Sequence, residues 1–130
     1  MNQHEEAFAR SFIVSQKRDR YLSLLGSPKG RSKLAHGLNH CGDLDMRKAR
    51  LVPAGRQSVE AIEQMLKQKG APALCHVMSS NPAIDGHDMP LHEALEETVG
   101  QTMGTLISCV PGKLAYFEFE DAGERYILES

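Results

Sequence analysis

The stretch TLISCVPGKLAYFEFE, residues 105–120, is the part of the sequence that decides the fold class. Its first six residues, Thr105 to Val110, are mostly β-branched or apolar, which predicts a strand. Pro111-Gly112 is typical of the central pair of a type II turn. After the turn the side chains alternate, with Ala115, Phe117 and Phe119 on one face and Tyr116, Glu118 and Glu120 on the other. A strand from Leu114 to Glu120 is therefore expected to pair with the first one.

Two further strands are predicted around this hairpin. A turn at Asp121-Ala122-Gly123 leads into a strand over Arg125 to Leu128, which completes a three-stranded antiparallel meander. The short apolar segment Ala73 to Met78 predicts a buried strand, and a helix over 90–99 is long enough for a crossover to a parallel neighbour. We therefore expect an α+β fold. In it, a helical N-terminal half precedes a small mixed four-stranded sheet: one strand, a crossover helix, then the meander, with helices on one face.

The helices are predicted from apolar spacing and from residues that start or stop them. In the N-terminal half they lie around Phe8 and Phe12, over Gln16 to Leu25, and from Ser27-Pro28 to about Leu38. Gly26 is expected to end the second helix in a left-handed conformation. Residues 39–57 show no period and predict a long loop. Ser58 is predicted to cap a fourth helix that ends before Gly70, and residues 79–89 form a polar loop.

The composition is that of an ordinary globular protein. The chain has 130 residues, of which 41% are hydrophobic and 25% are charged, and this predicts one domain over residues 1–130. No apolar run is long enough to span a bilayer, so no membrane partner is expected. The first residues lack the basic region and apolar run of a secretory signal, and the three cysteines are an odd number. These features predict a cytoplasmic protein with reduced thiols.

The charges divide unevenly along the chain. Residues 1–56 form a basic helical and loop segment with 11 Lys and Arg against 5 Asp and Glu, a net of +6. Residues 57–130 form an acidic α/β core with 4 against 12, a net of −8. The division indicates either an anionic partner for the basic segment or attraction between the two segments, within the domain or across a dimer.

A first group of candidate site residues is His36, His40 and Cys41. Two histidines four residues apart on a helix share a face and can chelate one metal ion, and a neighbouring thiolate suits zinc. Alternatively, the histidines lie on the surface at a helix end and interact with its dipole. Cys41, near Arg47 and Lys48, is the thiol with the most reactive predicted setting. The other cysteines, Cys75 and Cys109, are expected to be small buried hydrophobic residues.

A second group lies in the segment 85–93, which follows a predicted strand and precedes a helix. Asp85, His87, Asp88 and His92 supply two carboxylates and two imidazoles there. With a metal ion to activate water, such a set could support a hydrolase or lyase. The alternative is that Asp85-Gly86 makes a turn and Asp88 caps the helix. His76, on the preceding strand, is expected to be a satisfied core residue.

A third group consists of the cations of the first helices. These anion-binding candidates are Lys17, Arg18, Arg20, Lys29, Arg31 and Lys33. Two short helices joined at Gly26-Ser27 have a helix-turn-helix outline, and positive charge suits a phosphate backbone. Two observations disfavour a nucleic-acid partner. The chain has a net charge of −2, and Tyr21 is the one aromatic residue among these cations that could stack on a base.

No complete catalytic set, phosphate-binding glycine loop or nucleophile elbow occurs in the sequence, and no cofactor is predicted. We therefore expect a small cytoplasmic binding or accessory module that acts through its charge-segregated surfaces, with a protein partner or with a second copy of itself. A metal-dependent hydrolase or lyase, and a nucleic-acid-binding protein using the helices at 16–38, are the alternatives.

Overall fold

The computed structural model describes residues 1–121 and 124–130. In these residues the fold is α+β, which confirms the predicted class. The helices and strands in chain order are α1 Gln3–Phe12, α2 Arg18–Leu25, α3 Pro28–Gly37, β1 Ala49–Leu51, α4 Val59–Gln68, β2 Leu74–Ser79, β3 Asp88–Pro90, α5 Leu91–Thr98, β4 Thr105–Val110, β5 Leu114–Glu118 and β6 Arg125–Glu129. No helix among them is long and apolar enough to cross a membrane.

The strands form one six-stranded sheet in the order β1-β6-β5-β4-β2-β3, and every neighbouring pair is antiparallel. The predicted mixed four-stranded sheet is therefore wrong. The prediction missed β1 and β3, edge strands of three residues each, which are too short to show an alternating pattern. It also gave β2 the wrong partner direction. Because β3 returns the chain to the end where β2 began, α5 carries it back again and β4 runs opposite to β2.

The predicted C-terminal meander is confirmed by the pairing of β4 with β5 and of β5 with β6. At the first turn the N–H of Lys113 donates to the carbonyl of Val110 over 2.9 Å, and Gly112 has a φ of 70°. Both features are those of a type II turn. The second predicted turn includes Ala122 and Gly123, which lie outside the described residues.

Helices cover both faces of the sheet, so the prediction of helices on one face is wrong. The layer of α1, α2 and α3 packs on the face that carries Met78, Leu106, Ala115, Phe117 and Leu128. The layer of α4 and α5 packs on the other face, which carries Val77, Ile107, Tyr116 and Ile127. The central strands therefore bury both faces. We refer to α1, α2 and α3 as the N-terminal helical layer.

Local signals at the helix starts are confirmed. The Ser27 hydroxyl accepts a hydrogen bond from the N–H of Gly30, and the Ser58 hydroxyl accepts one from Ala61, both over 3.1 Å. Gly26, however, has a φ of −74° and ends α2 without the predicted left-handed conformation. The glycine that matters here is Gly30, because a Cβ at this position would lie 2.4 Å from the carbonyl oxygen of Leu24. Its missing side chain lets α3 lie close against the end of α2.

A second close approach joins the N-terminal helical layer to the sheet at Gly104, and it predicts a specific cost. A Cβ at Gly104 would lie 2.2 Å from the backbone carbonyl carbon of Leu38. We expect Gly104→Ala to lower the free energy of unfolding by about 3 kcal/mol, because backbone must move to make room. Urea denaturation measures the change. Gly55→Ala is the control, since nothing lies within 4 Å of its Cβ position; equal effects of the two substitutions would contradict this packing.

Candidate functional site

The four residues of the predicted hydrolase or lyase set do not converge on one point. Asp85 binds Arg31 of α3 and accepts a hydrogen bond from the N–H of Ser79 over 3.0 Å. His92, at the start of α5, binds Glu63 of α4 over 2.7 Å, on the other side of the sheet. His87 is exposed. In residues 1–121 and 124–130, no group of three or more His, Cys, Asp or Glu is placed to hold a metal ion.

Asp88 does not cap α5, which corrects one alternative for this segment. The residue lies in β3, and the position before α5 is taken by Pro90, which makes no side-chain cap. Asp88 accepts a hydrogen bond from Nδ1 of His76 over 2.7 Å. It is held in the strand because β3 pairs with β2 and places Asp88 opposite His76.

Of the predicted His36, His40 and Cys41 set, His40 and Cys41 line one cavity and His36 is not part of that lining. His36 is exposed, and His40 lies 3.3 Å from Glu120 with its side chain 78% exposed. Cys41 is buried at 4% exposure, and its sulfur lies 3.5 Å from the Tyr21 hydroxyl. Burial raises the pKa of the Cys41 thiol. Both observations disfavour the thiolate, so they do not support the predicted reactive setting of Cys41.

A group of charged side chains, of which Glu5 and His76 are buried, joins the N-terminal helical layer to the sheet. It consists of Glu5, Arg31, His76, Asp85 and Asp88, and we call it the charge network. His76 of β2 donates to Glu5 of α1 through Nε2 and to Asp88 through Nδ1, both over 2.7 Å. Arg31 donates to both carboxylate oxygens of Glu5, over 3.0 and 2.7 Å, and also binds Asp85.

The pKa shifts of the charge network follow from these contacts. Burial alone would raise the pKa of Glu5, but the hydrogen bonds from His76 and Arg31 outweigh it and lower the pKa to about 2. Burial opposes the charge on His76, but its bonds to Glu5 and Asp88 raise its pKa. His4 stacks on His76 with ring centroids 5.6 Å apart, and burial followed by the nearby His76 charge lowers the pKa of His4. Each charged group of the charge network therefore has an oppositely charged partner within the network.

A cavity lined by two cations that form no ion pair with any described residue lies between α2, α3 and residues 38–43. Its volume is about 220 Å³, and its lining includes Arg20 of α2, Lys33 of α3 and His40. In the described part of the chain neither Arg20 nor Lys33 forms an ion pair with a carboxylate. The close contact at Gly30 brings α2 and α3 together and so places both cations on one cavity. We call this the cationic cavity.

The floor and walls of the cationic cavity were not expected from the sequence as site residues. Tyr21 and Asp43 meet on the floor, where the Tyr21 hydroxyl donates to Asp43 over 2.8 Å. The apolar walls are formed by Leu24, Leu34 and Leu38. Tyr21 was distinguishable in the sequence only as the aromatic residue among the cations of this region.

The other predicted anion-binding residues have different places. Arg31 belongs to the charge network, and the Nε of Arg18 donates to the carbonyl of Ile13 over 3.0 Å. Lys17 and Lys29 are exposed and do not line the cationic cavity. Of the six predicted cations, the structure therefore brings Arg20 and Lys33 together, and His40 and Cys41 of another predicted group line the same cavity.

No protein-family model matches the chain, and neither a curated protein nor a solved structure matches it. The geometry of the chain itself is therefore the basis for a functional assignment.

The charge network predicts a defined dependence of stability on pH. Glu5 has a lowered pKa, so its contribution is complete above pH 4.5 and is lost as the pH falls toward 2. His76 has a raised pKa, so its contribution is complete below pH 6.5 and is lost as the pH rises through the raised value. His4 acts in the opposite sense, because its lowered pKa removes stability as the pH falls below 6.5.

Replacing Glu5 tests this dependence. We expect Glu5→Gln to lower the free energy of unfolding by about 3 kcal/mol or more at pH 6, because His76 and Arg31 lose a buried charged partner. The loss of stability between pH 4.5 and 2 should also become shallower. Urea denaturation at a series of pH values measures both. The control is Glu6→Gln, the next residue of α1, whose partner Arg10 is exposed. Similar results for the two variants would show that the charge network does not stabilise the fold.

Proposed function

We propose that this protein is a small binding module that holds an anionic ligand in the cationic cavity. The observation that carries the proposal is that Arg20 and Lys33 reach one cavity from two different helices and neither is neutralised by a carboxylate of the described chain. In contrast, Arg31 and Arg47 both have carboxylate partners. Asp43 brings one negative charge to the lining against the two positive charges of Arg20 and Lys33, and an anion in the cavity would balance the remainder.

The lining of the cationic cavity favours a particular kind of anion. A guanidinium group matches a pair of oxygen atoms of a phosphate or carboxylate, and a lysine adds a point charge. Leu24, Leu34 and Leu38 can contact a small apolar part of the ligand. The volume of about 220 Å³ is below the roughly 300–1,000 Å³ of sites for drug-sized molecules, which favours a small ligand. We therefore propose a small phosphate or carboxylate compound.

The same lining favours binding over turnover. The Cys41 thiol is buried and its pKa is raised, so the nucleophilic thiolate is disfavoured. Burial, with the contacts to Cys41 and Asp43, also raises the pKa of Tyr21 and keeps it protonated. Asp43, the carboxylate of the lining, accepts the Tyr21 hydrogen bond. No lining residue is thus set up as an activated nucleophile with its own base.

Self-association, which the charge layout predicts, remains a prediction. The cations of α2 and α3 and the acidic residues of α5 lie on opposite sides of the sheet. Contact between copies through these charges would therefore be head to tail and would weaken with salt. Nucleic acid is less favoured as a partner, because Tyr21 is 9% exposed and cannot stack on a base.

Titration with defined anions tests the proposed function. Inorganic phosphate and phenyl phosphate should bind saturably, with shifts of the backbone amide NMR signals of Gly37 and Leu38. Lys33→Gln and Arg20→Gln should each weaken binding about tenfold or more, since each removes a charged hydrogen-bond donor. Lys29→Gln is the matched control, because Lys29 lies on α3 but outside the cavity.

Three outcomes would contradict the proposal. The first is the absence of saturable binding of either probe. The second is equal weakening by Lys29→Gln and Lys33→Gln, which would indicate a diffuse charge effect. The third concerns duplex DNA. If duplex DNA binds more tightly than phenyl phosphate and both lysine variants weaken that binding equally, the basic helices recognise a polyanion and the small-ligand proposal is wrong.

A further inference from the structure

We infer that Cys75 and Cys109 form an oxidisable dithiol, which a low-molecular-weight disulfide can convert into a disulfide between β2 and β4. This site is separate from the cationic cavity and does not depend on the proposed function. It lies on the other face of the sheet, in the core beneath α4 and α5.

The strand register places the two cysteines opposite each other. β2 and β4 are antiparallel, and His76 pairs with Ser108. The pairing ends there, and β4 has a bulge against β5 between Ser108 and Val110; continuing the β2–β4 register by one residue places Cys75 opposite Cys109. Their side chains point to the same side, since both belong to the core cluster that contains Val77 and Ile107.

The backbone hydrogen bonds show which kind of pair this is. Val77 donates its N–H to His87 and accepts from Gly86, both on the β3 side of β2. Cys75 is two residues from Val77, so its backbone groups also point toward β3 and away from β4. Cys75 and Cys109 are thus a non-hydrogen-bonded pair across β2 and β4. Cα atoms of such pairs are about 4.5 Å apart, and disulfides span Cα separations of roughly 4.4–6.8 Å.

The two thiols also influence each other electrostatically. Interaction with the Cys109 thiol lowers the pKa of Cys75, although burial opposes this. The same contact, followed by burial, raises the pKa of Cys109. Cys75 is therefore the thiol that ionises first and attacks the oxidant. Cys41 does not take part in this pair, because it belongs to the core cluster on the opposite face of the sheet.

The oxidation balances as two exchange steps with oxidised glutathione. The Cys75 thiolate attacks one sulfur of the reagent, which forms a mixed disulfide and releases one glutathione thiolate. The Cys109 thiolate then attacks the Cys75 sulfur, which forms the protein disulfide and releases the second glutathione. The two protons lost by the cysteines go to the two glutathione thiolates, so the protein is oxidised by two electrons and the reagent is reduced by two.

Access to the pair requires local opening. Both cysteines are 2% exposed, and β3, an edge strand of three residues, pairs with Cys75 through Met89. A strand this short at the sheet edge opens more readily than the centre of the sheet. Oxidation is therefore expected to be slow, and the test must be made at equilibrium.

The experiment incubates the folded protein to equilibrium in glutathione buffers of increasing oxidised fraction. The samples are then acid-quenched, denatured and alkylated, and free thiols are counted by mass spectrometry. The wild-type protein should pass from three free thiols to one, and peptide mapping should link Cys75 to Cys109. Cys41→Ser should pass from two free thiols to none, with the same link, because Cys41 is equally buried but has no facing thiol.

Three results would overturn the inference: retention of all free thiols, glutathione adducts without an internal link, or a link that includes Cys41. The results for the wild-type protein and for Cys41→Ser are sufficient to test the inferred disulfide. Cys75→Ser and Cys109→Ser should each form no internal link, and their result is used only if circular dichroism shows that they fold.

Discussion

The buried carboxylate of Glu5 is the constraint on which the rest of the structure depends. At 4% exposure it cannot remain charged without close partners, and it finds them in His76 of β2 and Arg31 of α3. Arg31 in turn binds Asp85 in the loop after β2. One carboxylate thus fixes the first helix, the third helix and the sheet against one another, and the basic N-terminal segment becomes part of the same packed body as the acidic segment.

This arrangement separates structural charges from binding charges within one helical layer. Arg31 and Lys33 are two residues apart on α3, yet Arg31 points to the sheet and uses its donors on Glu5 and Asp85, whereas Lys33 reaches the cationic cavity. Because the charge network holds α3 in place, it also positions Lys33 opposite Arg20. The charge network supports the fold, and the cations of the cationic cavity remain available for the proposed ligand.

Sequence reasoning succeeded where the signal is local. The hairpin around Pro111-Gly112 and the serine caps of α3 and α4 depend on a few adjacent residues. It failed where a feature depends on distant residues or on very short elements. His76 and Glu5 are 71 positions apart, and no spacing rule links them. The pairing of Cys75 with Cys109 follows only from the antiparallel register, which the mixed-sheet prediction had excluded. The candidate site was found in part: Arg20 and Lys33 were among the expected cations, but their common cavity requires the packing of α2 on α3.

The most direct measurement of the central claim is native-state hydrogen exchange, followed residue by residue by NMR in increasing denaturant. If the charge network makes the N-terminal helical layer and the sheet one cooperative unit, the slowest amides of α1 and α3 will exchange with the same free energy and the same denaturant dependence as those of β2 and β4. Exchange of α1 and α3 through a lower-energy opening, with β2 and β4 still protected, would contradict the account.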